Sequence, residues 1–304
     1  MNTLLIISGP TASGKTSLGF QIAKKFNGEI VSSDSRQVYR GMDIVTGKEV
    51  NKEIKTWLID IVNPDQSFNV ADYYQQAWTV ISDIWKRGKL PIVVGGTGFY
   101  IKALLDGIGT MGIEPDWELR RELEVLPVDQ LQQRLQEASL NRWERMNESD
   151  RRNPRRLVRA IEIVRKSDSG QARMTSFWGG AKATTPESTL WIGLKTDLKA
   201  LYRRIDQRVD ERIKQGALEE TKKLATKYGW DIPSMTGQGY RELKGFIEGK
   251  IPLDEAVQRW KFAEHEYARK QMTWFKKEKR ITAVDIGKAH FIETVQGQVQ
   301  QWYT

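Results

Sequence analysis

An eight-residue segment near the start of the chain, Gly9-Pro-Thr-Ala-Ser-Gly-Lys-Thr16, constrains the fold more than any other feature. It satisfies the pattern G-x-x-x-x-G-K-[ST] and lies between a short apolar run and a helical period, the context in which this pattern binds an oligophosphate. Its glycines let successive backbone N–H groups turn inward around an anion, and the N-terminus of the helix adds partial positive charge. The predicted phosphate-binding residues are Gly9, Pro10, Thr11, Ala12, Ser13, Gly14, Lys15 and Thr16. Lys15 supplies a mobile cation, and the Thr16 hydroxyl is typical of a Mg²⁺ ligand.

Apolar runs and helical periods alternate along the first third of the chain. Strands are expected at 3–8, 29–32, 57–62 and 90–94, and helices at 15–26 and 72–87. This alternation favours a parallel sheet covered on both faces. We therefore predict an α/β protein with a P-loop NTPase-like parallel sheet core flanked by helices.

The character of the sequence changes after about residue 110. The segment 116–137 is charged and leucine-periodic, 151–166 is a second amphipathic helix, and 167–188 is expected to be a loop. The apolar run 190–194 predicts a return to the sheet, followed by helices at 197–214, 217–227 and 256–279. The predicted domains are a core of residues 1–111 and 189–304 and a mostly helical insertion of residues 112–188.

Composition excludes several classes of protein. The 304 residues include no cysteine and two histidines, so disulfides, thiolate nucleophiles and cysteine-based zinc sites are ruled out. No run of 18 apolar residues and no secretory leader is present, which argues against a membrane protein. We expect a cytoplasmic monomer.

Arginine is concentrated in the middle of the chain. Eight of the 24 residues from 142 to 165 are arginine, and the whole chain carries a formal charge of +9. Guanidinium groups suit bidentate phosphate contacts and stacking on bases, so the pattern indicates a polyanionic partner. A helix surface that pairs these arginines with nearby glutamates is the alternative.

A second chemical candidate follows the second predicted strand. Asp34 lies just past the carboxyl end of that strand, which in such sheets is the edge where phosphate compounds bind. It is a candidate general base or hydrogen-bond acceptor, with a helix N-cap as the alternative. Gln37 could pair with an adenine edge. The strand at 90–94 ends in Gly95-Gly96 instead of aspartate, which lowers the odds of an ATPase.

Several longer motifs together closely resemble the tRNA dimethylallyltransferases, in the order and spacing of that family from residue 9 to 275. They are the segments 9–16, 34–43, 95–100, 155–162, 202–210, 239–242 and 271–275. The match is to the bacterial form, which lacks a C-terminal zinc finger. Gly47 stands where the family pattern usually carries alanine.

The resemblance implies transfer of a dimethylallyl group from dimethylallyl diphosphate to N6 of adenosine 37 in the tRNA anticodon stem-loop. It implies Asp34 and Thr97 as catalytic residues, Arg208 with Arg204 second as diphosphate ligands, and Mg²⁺ as cofactor. The implied tRNA contacts are Asp34, Ser35, Arg36, Gln37, Thr97, Arg120, Arg155, Arg156, Leu157, Val158 and Arg159. Lys270, Lys276, Lys277 and Lys279, with Trp274 and Phe275 among them, are further candidates for gripping the RNA.

Three alternatives remain at this point. A small-molecule P-loop kinase would explain the phosphate motif but leave the arginine-rich segment unexplained. An enzyme that prenylates free adenine nucleotides would not need a basic insertion. A non-catalytic RNA-binding protein would not need Lys15, Thr16 and Asp34 intact.

Overall fold

The computed structural model describes residues 2–107, 113–168 and 186–303. The chain divides into two compact units, one formed by residues 1–107 and 184–304 and the other by residues 108–183. Each unit has its own apolar core.

The first unit is built on a six-stranded parallel sheet, which confirms the predicted fold class. The strands are β1 (Thr3–Ser8), β2 (Gly28–Ser32), β3 (Thr56–Trp57), β4 (Leu90–Gly95), β5 (Ser188–Lys195) and β6 (Thr282–Asp285). Their order across the sheet is β3-β2-β4-β1-β5-β6, and every neighbouring pair is parallel. β1 lies between β4 and β5 and is buried along its whole length, as its unbroken apolar sequence predicts.

Eight helices belong to the described part of the first unit. They are α1 (Lys15–Lys25), α2 (Val70–Lys86), α3 (Gly98–Asp106), α9 (Leu198–Lys214), α10 (Ala217–Tyr228), α11 (Tyr240–Ile247), α12 (Leu253–Lys277) and α13 (Phe291–Tyr303), with a short 3₁₀ turn at Pro233–Thr236. The Asn69 side chain accepts from the N–H groups of Ala71 and Asp72 and so caps α2, and Asp197 caps α9 in the same way.

The second unit is helical in its described part. It contains α4 (Trp117–Glu124), α5 (Val128–Ala138), α6 (Leu140–Glu144), α7 (Glu148–Arg151) and α8 (Pro154–Asp168). Leucines of α4 and α5 pack against the apolar stripe of α8 to form its core. The single helical segment predicted at 116–137 is wrong in one respect, since Pro127 separates α4 from α5.

Other predicted boundaries also need correction. The strand expected at 57–62 is only Thr56–Trp57, because Leu58 and Asp60 adopt positive φ angles of 59° and 54° that no strand tolerates. The loop predicted at 167–188 lies mostly outside the described residues. β6, α3, α11 and α13 were not predicted from the sequence. No helix of the described part is long and apolar enough to cross a membrane.

Candidate active site

The predicted phosphate-binding segment forms the turn between β1 and α1. Gly14 sits at the start of α1 in the left-handed region, with φ 79° and ψ 13°. Glycine adopts this conformation without steric cost. The turn therefore presents the N-terminus of α1 at the carboxyl edge of the sheet, as such phosphate cradles require.

A cavity of about 360 Å³ opens above this turn. Its walls come from distant parts of the first unit: the turn at Thr11–Thr16, the loops after β2 and β4, and α9 and α12. The polar and charged side chains that line it are Thr11, Lys15, Thr16, Asp34, Ser35, Arg36, Gln37, Thr46, Glu49, Arg208, Arg212, Thr236, Gln238, Tyr240, Arg241, Glu264, Tyr267 and Gln271. Cavities of this size commonly hold small ligands.

Lys15 is the one positively charged side chain within the cradle segment Gly9–Thr16. Its Nζ donates to the carbonyl of Pro10 at 3.3 Å. Burial, together with the positive charge of Arg208, lowers the pKa of Lys15 to about 8 against the attraction of Asp34. The Lys15 side chain is half-buried and lines the cavity, which provides space for an anion beside it.

Asp34 lies in the wall of the same cavity and does not cap a helix. Its Oδ1 accepts hydrogen bonds from the backbone N–H groups of Arg36 at 2.9 Å and Gln37 at 3.4 Å, which holds a tight turn after β2. In the described part of the chain, Oδ2 has no hydrogen-bond partner. One carboxylate oxygen thus fixes the side chain, and the other is available to a ligand.

Thr97 begins α3 and lies behind Asp34, outside the lining of the cavity. Its Oγ1 accepts a hydrogen bond from the N–H of Ser35 at 3.2 Å. Tyr267 of α12 lies near Thr97, and burial raises the pKa of Tyr267 well above its ordinary value. Thr97 therefore holds the Asp34 turn.

Gln271 of α12 joins the two loops that face each other across β1 and β4. Its Oε1 accepts from the Thr11 N–H at 2.8 Å, and its Nε2 donates to the Gly96 carbonyl at 2.9 Å. The sequence carried Gln271 as part of a motif, but its spacing gave no indication of these partners. Tyr267, Arg212 and Glu264 were likewise missed, because only the packing of α9 against α12 brings them to the cavity.

The predicted pair of arginine ligands needs one correction. Arg208 lines the cavity, with its nearest carboxylate, Glu49, at 4.0 Å. Arg204, one helical turn before Arg208 on α9, is exposed and does not line the cavity. The second arginine of α9 at the cavity is Arg212, one helical turn beyond Arg208.

Two residues of the segment after Asp34 have their own protein partners. Arg36 donates to the carbonyl of Pro233 at 3.2 Å, and the amide of Gln37 donates to the carbonyls of Thr46 and Gly47 at 3.3 Å each. Both side chains also line the cavity, so they shape its wall by holding neighbouring loops in place.

In the second unit, two of the predicted RNA-contacting arginines surround a buried glutamate. Arg120 forms a bidentate pair with Glu162, with both N–O distances 3.0 Å, and Arg159 pairs with the same carboxylate. Burial would raise the pKa of Glu162, but these hydrogen bonds outweigh burial and the pKa lies below its usual range. These two arginines therefore stabilise the unit itself.

The rest of the predicted RNA-contacting stretch divides by face of α8. Arg155 is exposed and has no ion-pair partner in the described residues, whereas the exposed Arg156 pairs with Asp150. Leu157 and Val158 are buried in the core of the unit. This corrects the prediction that their side chains contact RNA, because helical periodicity turns them away from the surface.

At the end of α12, Trp274 packs on Gly98, where a Cβ would lie 2.4 Å from the indole ring. Lys270, Lys276, Lys277 and Lys279 are all exposed around it. The tryptophan thus belongs to the packing of α12 on α3, and the lysines form a basic surface.

The fold and this cavity define an α/β protein with a P-loop-like fold. Comparison with known proteins identifies the family: the model described as IPP transferase matches residues 37–278, and the chain belongs to that family.

Relatives match over almost the whole chain. The protein named tRNA dimethylallyltransferase of Roseiflexus sp. (strain RS-1) is 40% identical over 314 residues, covering 99% of each chain. The tRNA dimethylallyltransferase 2 of Geotalea uraniireducens (strain Rf4) is 41% identical over 290 residues, covering 93% of this chain and 92% of the relative.

Solved structures are similar as well. The tRNA isopentenylpyrophosphate transferase of Bacillus halodurans superimposes with a TM-score of 0.72 at 33% identity, covering 99% of this chain and 96% of the other. A eukaryotic dimethylallyltransferase acting on tRNA gives a TM-score of 0.81 at 26% identity, covering 98% of this chain and 77% of the other.

Proposed function

We propose that this protein transfers a dimethylallyl group from dimethylallyl diphosphate to N6 of adenosine 37 in the tRNA anticodon stem-loop, releasing diphosphate. The observation that carries the proposal is that Asp34 and the phosphate cradle line one cavity, with Oδ2 of Asp34 free of partners in the described residues. The names of the relatives and of the similar structures support the same reaction.

The cradle would stabilise the leaving group. As the bond between the allylic carbon and the diphosphate oxygen breaks, negative charge grows on the diphosphate. Backbone N–H groups at the start of α1 would bind that charge together with Lys15 and Arg208, which line the cavity. No water has to be activated, which agrees with a β4 strand that ends in glycine.

Asp34 would act on the nucleophile. The exocyclic amine of adenine is a weak nucleophile because its lone pair is delocalised into the ring. When Oδ2 of Asp34 accepts an N6 proton, the nitrogen can form a bond to the allylic carbon as the diphosphate departs. Thr97 supports this step by holding the Ser35 N–H and so the Asp34 turn.

The residues of the cradle fit a magnesium ion. Thr16 stands at the start of α1 and lines the cavity, and Mg²⁺ favours such oxygen ligands together with substrate phosphates. When bound, Mg²⁺ supplies further positive charge to the leaving diphosphate. Arg208 and Lys15 bind the same group from the protein side.

For RNA recognition we propose a role for both units. A loop adenosine can be turned out of its stack at a cost of a few kcal/mol, which would allow it to reach a carboxylate in a cavity. Ser35 and Gln37 would position the base, and Thr97 would act through its hydrogen bond with the Ser35 N–H. Exposed Arg155 and Arg156 of α8 and the lysines of α12 would bind RNA phosphates. We further propose that the protein acts as a cytoplasmic monomer.

The test is an acceptor assay with labelled dimethylallyl diphosphate. The protein is incubated with unmodified tRNA, with the same tRNA carrying guanosine at position 37, or with AMP. Label in the first tRNA alone supports the proposal. Label in AMP would indicate prenylation of free nucleotides. Label in none of the three acceptors would contradict the proposed reaction.

A further inference from the structure

Two guanidinium groups meet at one glycine in the cavity wall. Arg208 and Arg212 lie one turn apart on α9 and point to the same side. A Cβ at Gly47 would lie 2.1 Å from Nη2 of Arg212 and 2.9 Å from Nη2 of Arg208. Gly47, with φ 63°, therefore makes room for both groups, and the two nitrogens are neighbours.

The loop that carries Gly47 is firmly held. Glu220 of α10 accepts hydrogen bonds from the N–H groups of Asp43, Ile44 and Val45 at 2.7–3.1 Å. The position of Gly47, and with it the space for the two arginines, is thus set by the protein and does not depend on a ligand.

Arg212 is buried, but most of its N–H donors have no hydrogen-bond partner in the described residues. It is 7% exposed, and its hydrogen-bond partner in the described residues is Glu264 of α12, with Nη1 and Oε1 3.3 Å apart. Arginine offers five N–H donors in a planar fork. Nη2 and Nε have no acceptor in the part of the chain that the structure describes, although Arg212 lines the cavity.

Charge at this end of the cavity favours an anion. Lys15, Arg208 and Arg212 bring three positive charges together, and burial and Arg208 both lower the pKa of Arg212. Glu264 pairs with Arg212, but Glu49 is 4.0 Å from Arg208, so the positive groups are incompletely neutralised. Neighbouring guanidinium groups suit phosphate oxygens because each can donate two parallel hydrogen bonds.

We propose that Arg212 is a further diphosphate-binding residue that shares the diphosphate with Arg208 and is positioned by the buried carboxylate of Glu264. The inference rests on the proposed function only for the identity of the donor. Diphosphate binding itself can be measured without the transfer reaction.

Titration calorimetry with inorganic pyrophosphate and Mg²⁺ tests the inference. The variants are Arg212→Met, Arg208→Met and the double variant Arg212→Met/Glu264→Gln, with Lys214→Met as a control that removes an exposed charge from the same helix. The Kd should rise about 10- to 100-fold in the Arg212 single and double variants, as loss of a charge-assisted hydrogen bond predicts. It should stay within about twofold in the control.

The double variant separates contact from net charge. Removing Arg212 and Glu264 together leaves the charge of the cavity unchanged, so a Kd restored to the wild-type value would overturn the proposed contact. Arg212→Lys, which keeps the charge next to Glu264 but loses the fork, should raise the Kd by less than Arg212→Met. If Arg212→Met does not fold, the Kd of Arg212→Lys for pyrophosphate tests the contact instead, and a Kd equal to that of the wild type would overturn it.

Steady-state kinetics distinguish a binding role from a structural one. The KM for dimethylallyl diphosphate should rise in Arg212→Met, while the KM for tRNA stays unchanged. If Arg208→Met loses affinity for pyrophosphate but Arg212→Met keeps it, the inference fails and the proposed function stands. If the wild type binds pyrophosphate but transfers nothing to tRNA, the proposed function fails and the inference stands.

Discussion

The Oε1 atom of Gln271 accepts a hydrogen bond from the backbone N–H of Thr11 at 2.8 Å, joining the last third of the chain to the phosphate cradle. The same side chain donates to the Gly96 carbonyl at 2.9 Å, so one amide fixes two loops beside the cavity. Because Gln271 is buried, removal of its amide leaves the buried Gly96 carbonyl without this partner.

Gln271→Leu should therefore lower the free energy of unfolding by about 1–3 kcal/mol, since it removes the partners of the half-buried Thr11 N–H and the buried Gly96 C=O. It should also raise the KM for the diphosphate donor, because Thr11 belongs to the cradle. Thermal denaturation and donor kinetics measure the two effects. Gln258→Leu, an exposed position on the same helix, is the control and should change neither.

Asp34 offers a second prediction, since its two oxygens have different tasks. Asp34→Asn keeps an oxygen for the N–H groups of Arg36 and Gln37 and removes only the charge. Turnover should fall about 10²–10⁴-fold, with tRNA affinity and melting temperature unchanged. Asp34→Ala should lose the same activity and in addition about 0.5–1.5 kcal/mol of stability, because the turn loses the hydrogen bonds that Oδ1 accepts. Equal turnover in wild type and Asp34→Asn would exclude the proposed role.

The sequence predicted the parts of the site whose residues are close together along the chain, and missed the contacts between residues that are far apart along it. The cradle is contiguous, so its residues follow from one motif, and Asp34 follows from the rule that sites gather at the carboxyl ends of parallel strands. The contacts of Gln271 and the pair Arg212–Glu264 depend on how α9 and α12 pack, and no local pattern encodes that packing. In α8 the family resemblance implied contacts at Leu157 and Val158, whose helical spacing places them in the core.

The arginines of the second unit give a third prediction. Arg155→Ala should weaken tRNA binding and reduce the slope of log Kobs against log salt by about 0.7–0.9 for each RNA phosphate that the side chain neutralises. Its effect on unfolding should be small, because the side chain is exposed and has no ion pair in the described residues. An unchanged slope would remove Arg155 from the RNA surface.

Arg120→Ala should behave differently, because it removes a bidentate partner of the buried Glu162. Arg159 still pairs with Glu162 in this variant, so the loss of the two Arg120 hydrogen bonds should destabilise the second unit by about 1–3 kcal/mol. Denaturant unfolding and a salt titration of tRNA binding compare it with Arg155→Ala. A stable Arg120→Ala protein with a reduced salt slope would instead place Arg120 against RNA.

The last prediction concerns pH and Lys15, whose pKa is lowered from 10.5 to about 8, first by burial and then by Arg208. Below pH 8 the ammonium is charged and can bind the diphosphate. Above pH 8 the free protein loses this charge, and a ligand that needs it can bind only with uptake of a proton. The Kd for a non-reactive dimethylallyl diphosphate analogue should be flat from pH 7 to 8 and then rise, by at most about tenfold per pH unit.

Stability should follow the opposite trend in the same pH window. Because the folded protein holds the Lys15 proton more weakly than the unfolded chain, the contribution of Lys15 to the free energy of unfolding increases as pH rises from about 8 to 10.5. Lys15→Met removes both dependences, so the difference between wild type and variant isolates them from other titrating groups. A Kd that is flat up to pH 9.5 in the wild type would contradict a lysine of lowered pKa in contact with the diphosphate.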